Sequence, residues 1–183
     1  MSLDRLTSTT QRLAILNAVV FSTKPLSVNA LAQQLKVSKG LVSRYLDWLV
    51  QEGLGRKVDG KFTLLDTAPP VVKGLRILLT LGRLKTGVFK KYPFVQSVGL
   101  YGSCAKGDNT EDSDLDLWVR VTPAREEDLA RLTAELRRTI GAVSVLLLSD
   151  AKLKQLKQRD PLFYHALSFG SITLYGASDA LEL

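Results

Sequence analysis

Two aspartates, Asp114 and Asp116, stand two residues apart in the run "SDLDLWVRV". Residues two apart in an extended strand point to one face, so both carboxylates share a side while Leu115, Leu117 and Val119 take the other. Carboxylates held that close repel each other unless a cation or a proton intervenes. Mg²⁺ suits hard oxygen donors and typically draws its remaining ligands from nucleotide phosphates. Upstream, Gly102-Ser103 follows an apolar, strand-like run from Phe94 to Tyr101. Glycine there would let a phosphate approach the backbone. The serine hydroxyl would contact it, and a following helix would offer free N–H groups.

These residues need a scaffold, and the surrounding pattern supplies one. After the Asp-x-Asp strand the sequence predicts a helix over about Arg125 to Arg138 and a strand from Ala142 to Leu148. Further upstream, Thr9 to Phe21 carries an apolar stripe of Leu13, Ile15, Leu16, Val19 and Val20. Ser27 and Ser38 are N-cap candidates for helices from Val28 to Leu35 and from Ser38 to near Gly53. Leu54 to Val58, Asp59-Gly60 and Lys61 to Leu65 read as a two-residue β-hairpin. Two helices joined by a tight turn, the second entered through a serine cap, make the helix-turn-helix layout. With the hairpin they make a winged helix. Pro69-Pro70 begins one long predicted helix through Val71 to Lys90, on which Lys73, Arg76, Arg83 and Lys90 fall near one line.

The stretch "LSVNALAQQLKVSKGLVSRYLDWLVQEGL" resembles the winged-helix regulators of archaea and bacteria. That resemblance implies that the third helix enters the DNA major groove and the hairpin lies on the backbone. Ser38, Lys39, Ser43 and Arg44 of that helix, with Arg56, Lys57 and Lys61 of the hairpin, are the expected contacts to double-stranded DNA. Asp47 places a negative charge on the same face, and Trp48 is expected in the core.

Gly102-Ser103, ten residues and then Asp114-Leu115-Asp116 resembles the signature of the minimal nucleotidyltransferases of the DNA polymerase β superfamily. The likeness extends to Ala105, Gly107 and Ser113, to Lys106 where a basic residue is common, and to the closing "DPLFYHALSFGSITLYG". It implies that Gly102, Ser103 and Lys106 hold the phosphates of an NTP. It also implies that Asp114 and Asp116 are catalytic ligands of Mg²⁺ and that a hydroxyl attacks the α-phosphate. The acceptor would be a protein or another hydroxyl-bearing molecule, with a HEPN-type toxin as one candidate partner. One position departs from the family. A third carboxylate on a later strand normally helps deprotonate the incoming hydroxyl, and here the matching position is Ser144. Two readings stay open: an active nucleotidyltransferase, and a DNA-binding regulator or antitoxin whose second domain no longer turns over.

The expected fold class is α+β: a winged helix-turn-helix over 1–66, a basic linker helix over 67–92 and a nucleotidyltransferase-like αβ domain with a mixed sheet over 93–183. Charge follows that division. The 183 residues carry a net +7, distributed as +4, +6 and −3 over the three segments, which suggests different partners for the two ends. One cysteine, Cys104, excludes an intramolecular disulfide. Val71 to Leu84 is broken by Lys73, Arg76 and Arg83 and fails as a membrane span. The first ten residues lack a signal peptide's apolar stretch. A cytoplasmic protein without a membrane partner is expected, and a homodimer is one allowed assembly. Trp118 and Arg120 share the face of the aspartates, either flanking a substrate or covering the sheet. Cys104 lacks a histidine to activate it, and His165, the sole histidine, reads as structural.

Overall fold

The computed structural model describes residues 6–65, 70–177 and 181. The chain divides into two compact units. One comprises the residues up to Leu79 with Asn109–Glu111; the other comprises Thr80–Asp108 and the residues from Asp112.

In the first unit, helices α1 (Thr10–Phe21), α2 (Val28–Leu35) and α3 (Lys39–Gln51) each begin at a hydroxyl cap. Thr9, Ser27 and Ser38 accept from the backbone N–H groups of Arg12, Ala30 and Leu41 at 3.1–3.2 Å, contacts worth about 1 kcal/mol each. The expected hairpin forms as β2 (Gly55–Val58) and β3 (Lys61–Leu64). Asp59 and Gly60 take φ of 50° and 72°, the paired left-handed conformation that a type I′ turn demands. The sequence pattern did not predict β1, the two residues Leu26–Ser27, which adds to the outer edge of β3. The core joins Ile15, Leu16 and Val19 of α1 to Leu31 and to Val42, Leu46 and Leu49 of α3, with Phe62 of β3 beneath.

The long predicted helix is shorter than expected. Helix α4 spans Pro70–Arg83, and a separate 3₁₀ segment covers Thr86–Lys91. Gly82 and Gly87 weaken the helix here, while Val88 and Phe89 bury in the second unit's core. Nor is the basic line on α4 uniformly wet. Arg76 is buried, and its Nε donates to the Val20 carbonyl at 2.6 Å. The start of the helix is described from Pro70; residues 66–69 lie outside the described part, as do the first five.

The second unit is built on a four-stranded mixed sheet in the order β6-β5-β4-β7. Strand β4 (Val95–Tyr101) leads through α5 (Gly102–Lys106) to β5 (Leu115–Val121), antiparallel to it. Helix α6 (Glu126–Ile140) crosses over to β6 (Val143–Leu148), which is parallel to β5, as a parallel pair requires. Helices α7 (Asp150–Arg159) and α8 (Pro161–Gly170) precede β7 (Ile172–Tyr175), which pairs antiparallel with β4. The alternation read from β5 holds. Leu117 and Val119 pack with Leu132 and Leu136 of α6, while Trp118 packs on the other face with Leu153, Tyr164 and Leu167. Gly99 stands opposite Trp118 in the β4–β5 register, and any side chain there would collide with the indole. Leu117 is fully buried on the α6 face of the sheet. Its replacement by alanine is expected to cost about 2–5 kcal/mol, read as a lower urea midpoint for the second unit. No helix among the described residues is long and apolar enough to cross a membrane.

Candidate functional site

Strand β4 ends at Tyr101, directly opposite Asp116 in the register of β5. Gly102 then turns the chain with φ of 71°, a conformation that costs an L side chain dearly and glycine nothing. The turn serves a second purpose. A Cβ added at Gly102 would fall well inside van der Waals contact of Asp116 Oδ2, so the absent side chain is the space that this carboxylate occupies.

Asp116 is half-buried and Asp114, one residue before the start of β5, is exposed. Burial raises the Asp116 pKa above the ordinary carboxylate value, and the charge of Asp114 raises it further. A cation beside the pair would relieve both effects at once. Cys104 ties α5 to the same place: its buried thiol donates to the Asp114 carbonyl at 3.4 Å. Its pKa is raised, chiefly by burial, with Asp116 and Asp114 adding to the rise and a hydrogen bond with Ser103 opposing it. A thiol held neutral in this way is no nucleophile, as its sequence context implied. Gly102, Ser103, Asp114 and Asp116 therefore cluster at one end of β4 and β5, while Lys106 stands exposed at the end of α5.

Ser144 on β6 pairs with Asp116 in the parallel register. The strand position where the family's third carboxylate is expected thus lies directly beside Asp116 and holds a hydroxyl. Among the described residues no group of three or more His, Cys, Asp or Glu is placed to hold a metal. Tyr101 was missed in the sequence. Burial raises its phenol pKa and the Asp116 charge adds to the rise, and its ring meets Phe163 edge-on with centroids 6.2 Å apart. Its place as the last strand residue before Gly102-Ser103 was the available signal. Of the two residues left open, Trp118 covers the sheet, being 1% exposed. The Arg120 guanidinium donates to the Asp150 carboxylate at 3.0 Å. Asp150 is the first residue of α7, whose cap is Ser149. His165 is exposed on α8, stacked with Phe169.

The raised pKa of Asp116 has a consequence for stability. The native protein holds that proton more tightly than the unfolded chain, so between the two pKa values stability falls as pH rises. Above both values the ionised group costs stability. Asp116→Asn is therefore expected to stabilise the protein without added metal at neutral pH, by less than about 1 kcal/mol once solvent screening is allowed for. Thermal unfolding checks this, and the gain should vanish below the ordinary carboxylate range.

The second cluster lies on the first unit. Lys39 and Arg44 of α3 and Arg56 and Lys61 of the hairpin are exposed, as the winged-helix layout expects. Ser38 is the α3 cap. Asp47 does not stand alone on that face: it accepts from Lys57 Nζ at 2.5 Å and from the Ser43 hydroxyl at 3.5 Å. Lys57 is correspondingly part-buried. Trp48 is half-buried against Tyr45, with ring centroids 5.7 Å apart.

Residues 86–180 match the family model "Polymerase beta, Nucleotidyltransferase", and residues 9–54 match "Bacterial regulatory protein, arsR family". The first match spans more than half of the chain, which therefore belongs to the polymerase beta nucleotidyltransferase family, with an arsR-type helix-turn-helix joined to it. Similar solved structures include a mutant of the toxin–antitoxin pair MntA–HpeT, at 15% identity over 52% of this chain and 73% of that one, with a TM-score of 0.40. A toxin–antitoxin with AMP-PNP matches at 16% identity over 56% and 77%, with a TM-score of 0.41. A tri-AMPylated Shewanella oneidensis HEPN toxin in complex with MNT antitoxin matches at 15% over 58% and 75%, with a TM-score of 0.34. No curated protein matches the sequence.

Proposed function

We propose that the second unit binds Mg²⁺ and an NTP at Asp114 and Asp116 and passes the nucleotidyl group to an acceptor hydroxyl, while the first unit binds double-stranded DNA. The observation that carries the metal–nucleotide reading is the fit of Asp116 against the bare α-carbon of Gly102. The donor set suits the ion: two carboxylates, one of them half-buried and raised in pKa by that burial and then by its neighbour, are hard oxygen ligands in need of a cation. Asp114 and Asp116 would hold the metal, which would neutralise the pair and supply Lewis-acid polarisation of a phosphate. The chain's own residues do the positioning. Gly102 leaves room for the Asp116 carboxylate, the Ser103 hydroxyl contacts a phosphate oxygen, and Lys106 adds a cation. The acceptor would be a hydroxyl on a protein, a HEPN-type partner being the kind that the family resemblance implies.

A second reading rests on one specific observation, the serine beside Asp116. A serine hydroxyl titrates far above neutrality and cannot take the acceptor's proton as a carboxylate would. The protein would then hold the nucleotide without passing it on and act as a nucleotide-responsive DNA-binding regulator. α-Labelled NTP with Mg²⁺ and a HEPN-type acceptor separates the two. Label transferred to the acceptor supports turnover. NTP binding without transfer supports the regulator, and absence of both overturns the site.

A further inference from the structure

A cleft of about 320 Å³ opens within the first unit, lined by Arg12 of α1 and by Leu41, Arg44, Tyr45 and Trp48 of α3. Its size is at the low end of the range for small-ligand sites, roughly 300–1,000 Å³. Its walls combine two chemistries. Leu41, Tyr45 and Trp48 lie one helical turn apart on α3 and supply apolar and aromatic surface. Arg12 and Arg44 bring two guanidinium groups from different helices.

The walls are also held in place. The Tyr45 hydroxyl donates to the Leu6 carbonyl at 2.8 Å in the core, which fixes its ring. Burial raises the phenol pKa far beyond neutrality, against the opposing charge of Arg12, so the hydroxyl stays protonated. Arg12 is anchored by donating to the Ser8 hydroxyl at 2.9 Å. The Trp48 indole N–H is buried with no acceptor from the protein, an unmet donor of the kind that native structures rarely leave. DNA phosphates alone would call for the arginines, but not for an aromatic cavity between them.

We infer that this cleft is an effector site for a small planar aromatic anion, an arene carboxylate, whose body rests on Leu41 and Trp48 above the buried Tyr45 and whose charge meets Arg12 and Arg44. Since Arg44 lies on the expected DNA-reading helix, an occupied cleft would weaken duplex binding. That consequence, unlike ligand binding itself, rests on the DNA-binding reading.

The test is calorimetry of the full chain without DNA, using naphthoate, its neutral analogue naphthamide, and inorganic phosphate. Naphthoate is expected to bind saturably. Loss of its charge, or Arg44→Gln, should each weaken binding at least about tenfold. Phosphate should bind more weakly than naphthoate, and Trp48→Phe should reduce affinity while leaving the charge preference. If naphthoate binds no tighter than phosphate, the arginines are a simple anion contact and the proposal fails. It fails equally if naphthamide binds as well as naphthoate, a comparison that uses only the wild-type chain. Where naphthoate binds, a duplex whose affinity is unchanged by it would overturn the effector role alone.

Discussion

Alanine at Gly102 is expected to lower Mg²⁺-dependent NTP affinity by about 10–100-fold, the range seen when a group that orients a metal ligand is disturbed. Two costs fall together at this residue. Its φ of 71° strains any L side chain, and the new methyl would occupy the space of Asp116 Oδ2. The strain costs about 1 kcal/mol of stability; the collision moves the Asp116 carboxylate, the proposed metal ligand. Gly60→Ala separates them. Gly60 has almost the same φ, 72°, with open space around its α-carbon. It should lose similar stability and retain its NTP affinity. Thermal unfolding and calorimetric titration of the two variants make the comparison, and equal NTP affinities would show that Gly102 serves only the turn.

Replacing Arg44 and Arg56 together with alanine is expected to weaken duplex binding and flatten its salt dependence. Each phosphate contact removed takes about 0.9 from the slope of log K against log salt, so the pair should remove nearly two. Asp47→Ala should act in the opposite direction. Its carboxylate is the partner of Lys57, and an exposed pair of this kind holds by no more than about 1 kcal/mol. Releasing Lys57 adds a cation to the surface, so non-specific binding should tighten. Fluorescence anisotropy with a labelled duplex over a salt series reads both variants. An unchanged slope in the double variant would place the arginines away from the backbone.

Local chemistry made much of this readable. Ser27 and Ser38 cap the helices they were expected to cap because a hydroxyl at that point satisfies an otherwise orphaned N–H. Asp59-Gly60 forms the hairpin turn because few other pairs take two left-handed residues in succession. Period-2 alternation put Asp116 and Leu117 on opposite faces of β5, and the family resemblance singled out Ser144 on the later strand, which the parallel register sets beside Asp116. What escaped depended on tertiary contacts. Helix α4 ends at Arg83 although its periodicity runs on, since Val88 and Phe89 are drawn into a different core. Arg76 looked like part of a wet stripe because periodicity cannot show that the Val20 carbonyl waits for it. The pairing of Asp47 with Lys57 joins residues ten apart on separate elements. The cleft beside Arg12 needs two helices to bring its walls together.

Asp114 and Asp116 form the proposed metal–nucleotide site. It is tested most directly by titrating a non-hydrolysable NTP analogue into the wild-type chain and into the Asp114→Ala/Asp116→Ala variant, each with and without Mg²⁺. Saturable binding by the wild type only when Mg²⁺ is present, lost in the double variant while its fold persists, is the expected result. Binding of equal strength in the double variant, or in the wild type without Mg²⁺, would contradict it.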